Sequence, residues 1–167
     1  MRTYSPGQEL DIELVQWWEH LVRDGDLTKL VGSSLWPLSA FLAHFAACPT
    51  LLYDTDEHGW TVVAWVFPFM GGGTFGCWIR PDQRLGGSRK NLRCIVNALH
   101  RGFDLYPVLI NTTKQDAIVP KTEALGYTYV GKIPYLFDGE SCHVLYMTKE
   151  QFSAHAQKWS RLYGRNG

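Results

Sequence analysis

The sequence lacks an excess of either charge: its 16 Lys and Arg residues offset 16 Asp and Glu residues. A dedicated nucleic-acid binder would carry a basic surplus, so that class is excluded as the main reading. No apolar run approaches the length of a membrane span, and the N-terminus has no signal-peptide core. We therefore expect a soluble cytoplasmic protein with no membrane contact. Cysteine is sparse. Cys48, Cys77, Cys94 and Cys142 match no zinc or redox spacing, so four buried thiols are expected rather than a disulfide framework. The six histidines, His20, His44, His58, His100, His143 and His155, form no paired-ligand spacing on one helix face, and no metal site is expected. Repeats, linkers and low-complexity tracts are also missing. With 167 residues, 46% of them hydrophobic and 19% charged, the chain has ordinary globular composition. It is read as a single domain able to bury a core without staples.

What is present follows clear periods. Leu14, Val15, Trp18, Leu21 and Val22 recur at helical spacing and predict a helix over 11–23. A second helix is marked by Leu38, Phe41, Leu42 and Phe45, with Pro37 in its opening turn and Pro49 beyond its end. Residues 50–54 read as a short strand and 54–59 as a polar turn. The acidic residues of that turn, Asp54, Asp56 and Glu57, are given no function, because turns favour such residues for conformational reasons. The run 60–69 is too apolar to alternate and predicts a strand covered on both faces. After Gly71-Gly72-Gly73 comes a strand over 74–80. Leu92, Ile95, Val96, Leu99 and Phe103 then mark a helix from 89 to 103.

A strand over 107–111 and a helix within 116–125 follow, with Pro120 kinking that helix or delaying its start and Gly126 suited to its C-terminal cap. Strands at 127–137 and 142–148 flank the hairpin signal Asp138-Gly139. Thr148 and Gln151 form a capping-box pattern before a C-terminal helix at about 149–163, whose apolar face is Phe152, Ala156, Trp159 and Tyr163. This order predicts an α/β sandwich with a mixed sheet flanked by helices. The helix between the strands at 74–80 and 107–111 should be a right-handed crossover joining parallel neighbours.

Between the third strand-like run and its helix lies Asp82-Gln83-Arg84-Leu85-Gly86-Gly87-Ser88-Arg89-Lys90-Asn91. A glycine pair lets the backbone turn tightly and approach a ligand. The helix start that follows adds unpaired N–H donors and partial positive charge, which together favour an anion. Arg89 and Lys90 sit in the first helical turn, where the macrodipole disfavours cations by about 0.3–1 kcal/mol each. A bound phosphate would offset that cost. The bland alternative is a solvated cationic face made by Arg84, Arg89, Lys90 and Arg93. Nucleic acid is disfavoured at this patch because no aromatic residues are interleaved with it.

The turn and its setting resemble the GCN5-related N-acetyltransferase (GNAT) superfamily, from about residue 11 to residue 148. In that family a strand leads into Gln/Arg-x-x-Gly-x-Gly/Ala and then a helix. Here Gln83, Gly86 and Ser88 hold the three marked positions, Ser88 replacing the usual Gly or Ala. A second likeness is Glu123-Ala124-Leu125-Gly126-Tyr127-Thr128-Tyr129-Val130-Gly131, similar to the family's Leu-Gly-aromatic corner. The resemblance implies a GNAT-like acyl-CoA N-acyltransferase fold and transfer of an acetyl group from acetyl-CoA to an amine on a small molecule or protein. It implies that Trp78, Ile79 and Arg80 align the pantetheine through their backbones. Gln83, Arg84, Leu85, Gly86, Gly87, Ser88 and Arg89 would hold the pyrophosphate, and Gln115 would stand where an asparagine contacts the pantetheine arm. Acetyl-CoA would lie in the opening between the strands at 74–80 and 107–111. Early helices wall the acceptor site in the family, so Trp17, Trp18 and Trp36, read first as core, also offer a face to an apolar acceptor or a protein partner. Short, divergent members occur in bacteriophage genomes, and the Trp-rich N-terminus suits a phage protein in the host cytoplasm.

Two family features are absent. The position of the general-acid tyrosine is Thr122, and neither 74–80 nor 107–111 contains the strand glutamate base. Among Tyr127, Tyr129, Tyr135 and Tyr146, mostly expected to pack the sheet, one is a candidate for the missing proton donor. Tyr135 and His143 are singled out as catalytic, His143 for its ordinary pKa near neutrality. Its alternative is a strand histidine on the solvent face. Cys77 as an acyl-carrying nucleophile has no histidine placed beside it by sequence. The missing counterparts also suit a catalytically silent GNAT-fold module that holds CoA or a partner protein, and a purely structural interaction protein is the third reading.

Overall fold

The computed structural model describes residues 1–3, 11–27, 36–84, 89–137 and 139–163, without the side chains of 11, 135, 137 and 158–163. Its elements are β1 (Arg2–Thr3), α1 (Asp11–Arg23), α2 (Leu38–Ala46), β2 (Thr50–Asp56), β3 (Gly59–Phe69), β4 (Gly72–Ile79), α3 (Arg89–Leu105), β5 (Val108–Thr113), α4 (Val119–Ala124), β6 (Thr128–Phe137), β7 (Glu140–Thr148) and α5 (Lys149–Tyr163). Short 3-10 turns occupy Pro81–Gln83 and Asp116–Ile118. The strands form one mixed sheet in the order β1-β2-β3-β4-β5-β7-β6, as the sequence predicts for its class. The two-residue β1 has too little pattern to be read from sequence. The chain divides into two compact units, residues 1–67 with 75–102, and residues 68–74 with 103–167.

In the first unit the core forms around aromatic rings. Trp17, fully buried, stacks on Trp60 with centroids 5.1 Å apart, and Tyr53 stacks on Trp60 at 4.3 Å. Phe41 and Phe45 of α2 meet Trp17 edge-on at 5.1 and 4.9 Å, a geometry that suits the opposed charges of ring face and edge. The buried line of α1 is therefore Leu14, Trp17 and Leu21. That corrects the expected face: Trp18 is half-buried and Val22 is exposed, because the Trp17 ring, not its neighbour, completes the stack. The β3 residues from Trp60 to Ala64, together with Val66, are buried without alternation, matching a strand covered on both faces. Phe69, near its end, emerges into solvent. β2 pairs antiparallel with β3, Thr50 facing Val66. Along α3, Asn91, Cys94, Ile95, Ala98 and Leu99 are buried at helical spacing.

In the second unit β7 is the central ladder. It pairs antiparallel with β5 from Val108↔Thr148 to Thr113↔His143, and with β6 from Thr128↔Tyr146 to Phe137↔Glu140. β4 pairs parallel with β5 at Gly73↔Leu109 and Thr74↔Ile110, the pairing expected of a crossover connection. Pro134 lies in β6 at a register irregularity on the sheet's edge, where a missing N–H is tolerated. Phe103 and Phe152 stack at 4.9 Å. The capping box forms: the Thr148 N–H donates to Gln151 Oε1 at 2.8 Å, and the Gln151 N–H to Thr148 Oγ1 at 3.3 Å. Trp159 and Tyr163 carry no described side chains. Pro120 sits in the first turn of α4, which starts only at Val119. Gly126 closes that helix at φ +97°, where a Cβ would also lie 2.7 Å from the His155 ring.

Candidate functional site

The approach to the glycine turn is built from ion pairs. Arg80, 6% exposed, sends its guanidinium to Asp56 at 2.9 and 2.6 Å and to Asp82 at 2.7 and 3.0 Å. These bonds hold both carboxyls at a pKa of about 2, well below the usual carboxylate range. Its backbone is committed as well, the N–H to Thr61 O at 2.9 Å and the carbonyl to the Gln83 N–H at 2.9 Å. Arg84, expected to hold the pyrophosphate, donates to the carbonyl of Ile79 at 2.8 Å and to Asp26 at 2.5 Å. Asp26 is 1% exposed and also accepts from Trp78 Nε1 at 3.0 Å. Asp26, Trp78, Ile79 and Arg84 thus form a clamp at the entrance of the turn. Gln83 directs its amide to Asp82.

Leu85, Gly86, Gly87 and Ser88 lie outside the described residues. On their far side α3 begins with Arg89 and Lys90, both exposed, and its first turn contains no acidic residue. The next residue, Asn91, is 4% exposed, and its side-chain amide nitrogen has no hydrogen-bond partner among the described residues. A buried amide without a partner costs about 1–3 kcal/mol, and the two exposed cations at this helix start would meet an anion.

A second polar constellation lies in the other unit. His143, at 7% exposed, is not the solvent-face strand histidine of the bland reading. Its Nε2 lies 2.5 Å from Asp116 Oδ1, and its Nδ1 lies 2.9 Å from the Tyr129 hydroxyl. Lys132 also reaches Asp116, at 3.3 Å. Hydrogen bonding from His143 and then Lys132 holds the Asp116 carboxyl below the usual range. The tyrosine met by His143 is Tyr129; the side chain of Tyr135 is outside the described ones. No spacing signalled this arrangement, because 14 and 27 residues separate His143 from its partners. Only strand register and the 3-10 turn bring them together.

Thr122 is 6% exposed and its hydroxyl donates to the Ile118 carbonyl at 3.0 Å. Gln115 is exposed, with its backbone bonded to Thr113 Oγ1 and the Ile118 N–H. All four cysteines are free thiols, and burial pushes Cys77 up to about 11 and Cys48 and Cys94 to about 12, the opposite of an activated nucleophile. Among the described residues no group of His, Cys, Asp and Glu could hold a metal, and no helix is long and apolar enough to cross a membrane. Trp18 and Trp36 pack half-buried against the core around Trp17.

No protein-family model matches the sequence, and no curated protein sequence does. Solved structures do match. An uncharacterized protein from Bacillus halodurans superposes with a TM-score of 0.70 at 10% identity, over 96% of this chain and 89% of its own. A putative acetyltransferase, YncA, from Salmonella typhimurium, solved with its cofactor acetyl-CoA, gives 0.61 at 15% identity over 88% and 91%. The spermidine/spermine N-acetyltransferase SpeG from Vibrio cholerae gives 0.64 at 11% identity over 93% and 96%. The chain has the GNAT fold.

Proposed function

We propose that this protein is an acetyltransferase that takes an acetyl group from acetyl-CoA and places it on an amine of a small molecule or protein. One observation carries the reading. Beyond residues 85–88, α3 opens with two exposed cations, no acid in its first turn, and a buried Asn91 amide lacking a partner among the described residues. That start fits a polyphosphate, and the residues of choice to hold it are Gln83, the turn 85–88, Arg89 and Lys90. Arg84 is tied to Asp26 and the Ile79 carbonyl instead. Arg80, with N–H and carbonyl both committed, leaves the backbone of Trp78 and Ile79 to align the pantetheine, though the Ile79 carbonyl already accepts from Arg84. Bound acetyl-CoA supplies an activated acetyl thioester. The protein's part is to orient it and to handle the acceptor's proton, so a strand glutamate is not required.

A silent CoA-holding module is the second reading, favoured by Thr122 at the family's tyrosine position, where its hydroxyl is bonded to Ile118. Thiol release from acetyl-CoA, measured against a panel of small amines and lysine peptides, separates the two. The enzyme reading expects amine-dependent release with a matching acetylated product. Binding without release for every acceptor gives the module reading, and absence of binding removes both.

A further inference from the structure

Asp26 is a charged side chain in the core, and its place is set by how α1 ends. Gly25, at φ +67°, turns the chain after the helix. Its N–H donates to the Val22 carbonyl at 3.2 Å, and the Asp26 N–H to the Leu21 carbonyl at 2.9 Å. This pair of bonds is a Schellman closure, whose left-handed position suits a residue without a Cβ. It fixes the Asp26 backbone against the fully buried Leu21 of α1. The Asp26 Oδ2 then accepts from Trp78 Nε1 at 3.0 Å and from Arg84 Nη2 at 2.5 Å, while Arg84 Nε donates to the Ile79 carbonyl at 2.8 Å. Three bonds so tie the end of α1 to the last two residues of β4 and to Arg84, all within the first compact unit. Taking a carboxylate out of water is costly, and a buried ion pair commonly adds no more stability than apolar side chains of the same volume. What this one contributes is geometry. The planar guanidinium holds a carboxylate and a carbonyl at once, at a fixed separation.

We infer that Asp26 is a positioning residue for acetyl-CoA, acting through Arg84 and Trp78 on the end of β4. This rests on the acetyltransferase reading, in which the backbones of Trp78 and Ile79 align the pantetheine. The Trp78 indole and the Ile79 carbonyl are held before any ligand arrives, so binding does not have to order them. A preorganised site keeps more of its contact energy as affinity. Arg84 is then a brace and not a phosphate ligand: its side chain is 40% exposed, yet its guanidinium is engaged by Asp26 and Ile79. The cations that meet the phosphates are Arg89 and Lys90. Without the Asp26 carboxylate, Arg84 loses its counter-charge and Trp78 its acceptor, and the end of β4 is no longer fixed from α1.

The test is calorimetry of acetyl-CoA binding to the full chain, for the parent, Asp26→Asn, Arg84→Gln and the double variant, at about 0.05 and 0.5 M salt. Asparagine keeps the volume and an acceptor for the indole but removes the charge. Each single variant should bind about tenfold more weakly, and the double variant no more weakly than the singles, because residues acting through one contact are not additive. The ratio to the parent should be the same at both salt concentrations, since a brace never touches the phosphates. Urea unfolding without ligand separates this from a role in the core alone, which would lower stability and leave Kd at the parental value. Parental affinity in folded Asp26→Asn overturns the assignment, and so do additive losses. A loss in Arg84→Gln that fades at high salt also overturns it, because Arg84 would then be a phosphate ligand. Should Asp26→Asn not fold, Arg84→Gln decides by itself: a salt-independent loss supports the brace, and parental affinity overturns it. A parent that binds no acetyl-CoA instead overturns the acetyltransferase reading itself.

Discussion

Thr122 and Arg80 illustrate how single residues take roles that their positions in the chain do not announce. Thr122 stands where GNAT proteins often have a proton-donating tyrosine, but it is buried and its hydroxyl donates to the carbonyl of Ile118, at the end of the preceding 3-10 turn. A hydroxyl so placed is a poor acid at neutral pH, and a thiol with a pKa near 8.5 is a tolerable leaving group without help. Thr122→Ala should therefore keep kcat within a few-fold of the parent in the thiol-release assay. Arg80 binds two carboxylates that the sequence presents as ordinary turn residues. Both Asp56 and Asp82 have folded-state pKa values depressed to about 2, from an ordinary 3.8. Such groups contribute stability that is complete above about pH 4 and is lost as pH falls toward 2. Arg80→Met should lower stability at pH 7 by about 2 kcal/mol, the scale of charged hydrogen bonds. The difference from the parent should shrink below pH 4, measured by urea unfolding at each pH. An equal loss at pH 7 and pH 2.5 would mean that packing, not the ion pairs, sets the cost.

At the scale of elements, periodicity was legible wherever one face alone is buried. α3 shows this best: Ile95, Leu99 and Phe103 were read from spacing and are buried, with Cys94 and Ala98 filling the same line. The face of α1 was read less well, because Trp17 and Trp18 are equally apolar and only the Trp60 ring decides between them. The cap at Thr148 and the turn at Gly126 were legible because few residue types satisfy those geometries. The site was legible in part. His143 was readable as a titratable residue on a strand, but its partners were not, since register between β6 and β7 is set by packing across the sheet. Arg84 was read as a pyrophosphate ligand, because its carboxylate partner Asp26 lies 58 residues away in sequence. The element to test is the helix start. Arg89→Ala should weaken acetyl-CoA affinity by several-fold at low salt and less at 0.5 M salt, measured by calorimetry, since screening erases a partly exposed phosphate contact. A loss independent of salt would point to altered folding of the turn rather than to lost charge.

At the scale of the molecule, the sheet order and the match to solved acetyltransferases define a fold, and folds of this generality do not fix chemistry. What supports the reading beyond fold alone is a local feature, the acid-free start of α3 with its two exposed cations. The zero net charge is consistent with one confined anion site rather than a broad basic surface. The central claim is that acetyl-CoA binds at the turn before α3, and the most direct measurement is the thermal midpoint with and without the cofactor, for the parent and for Gly86→Val. A ligand that binds only the folded state at a hundredfold excess over Kd stabilises it by about 2.7 kcal/mol. For a chain of this length that moves the midpoint by about 5–10 °C. The account predicts such a rise for the parent and none for Gly86→Val, whose β-branched side chain would obstruct both the turn and the phosphate. A parent whose midpoint stays fixed in millimolar acetyl-CoA, or a Gly86→Val protein that responds as the parent does, would contradict it.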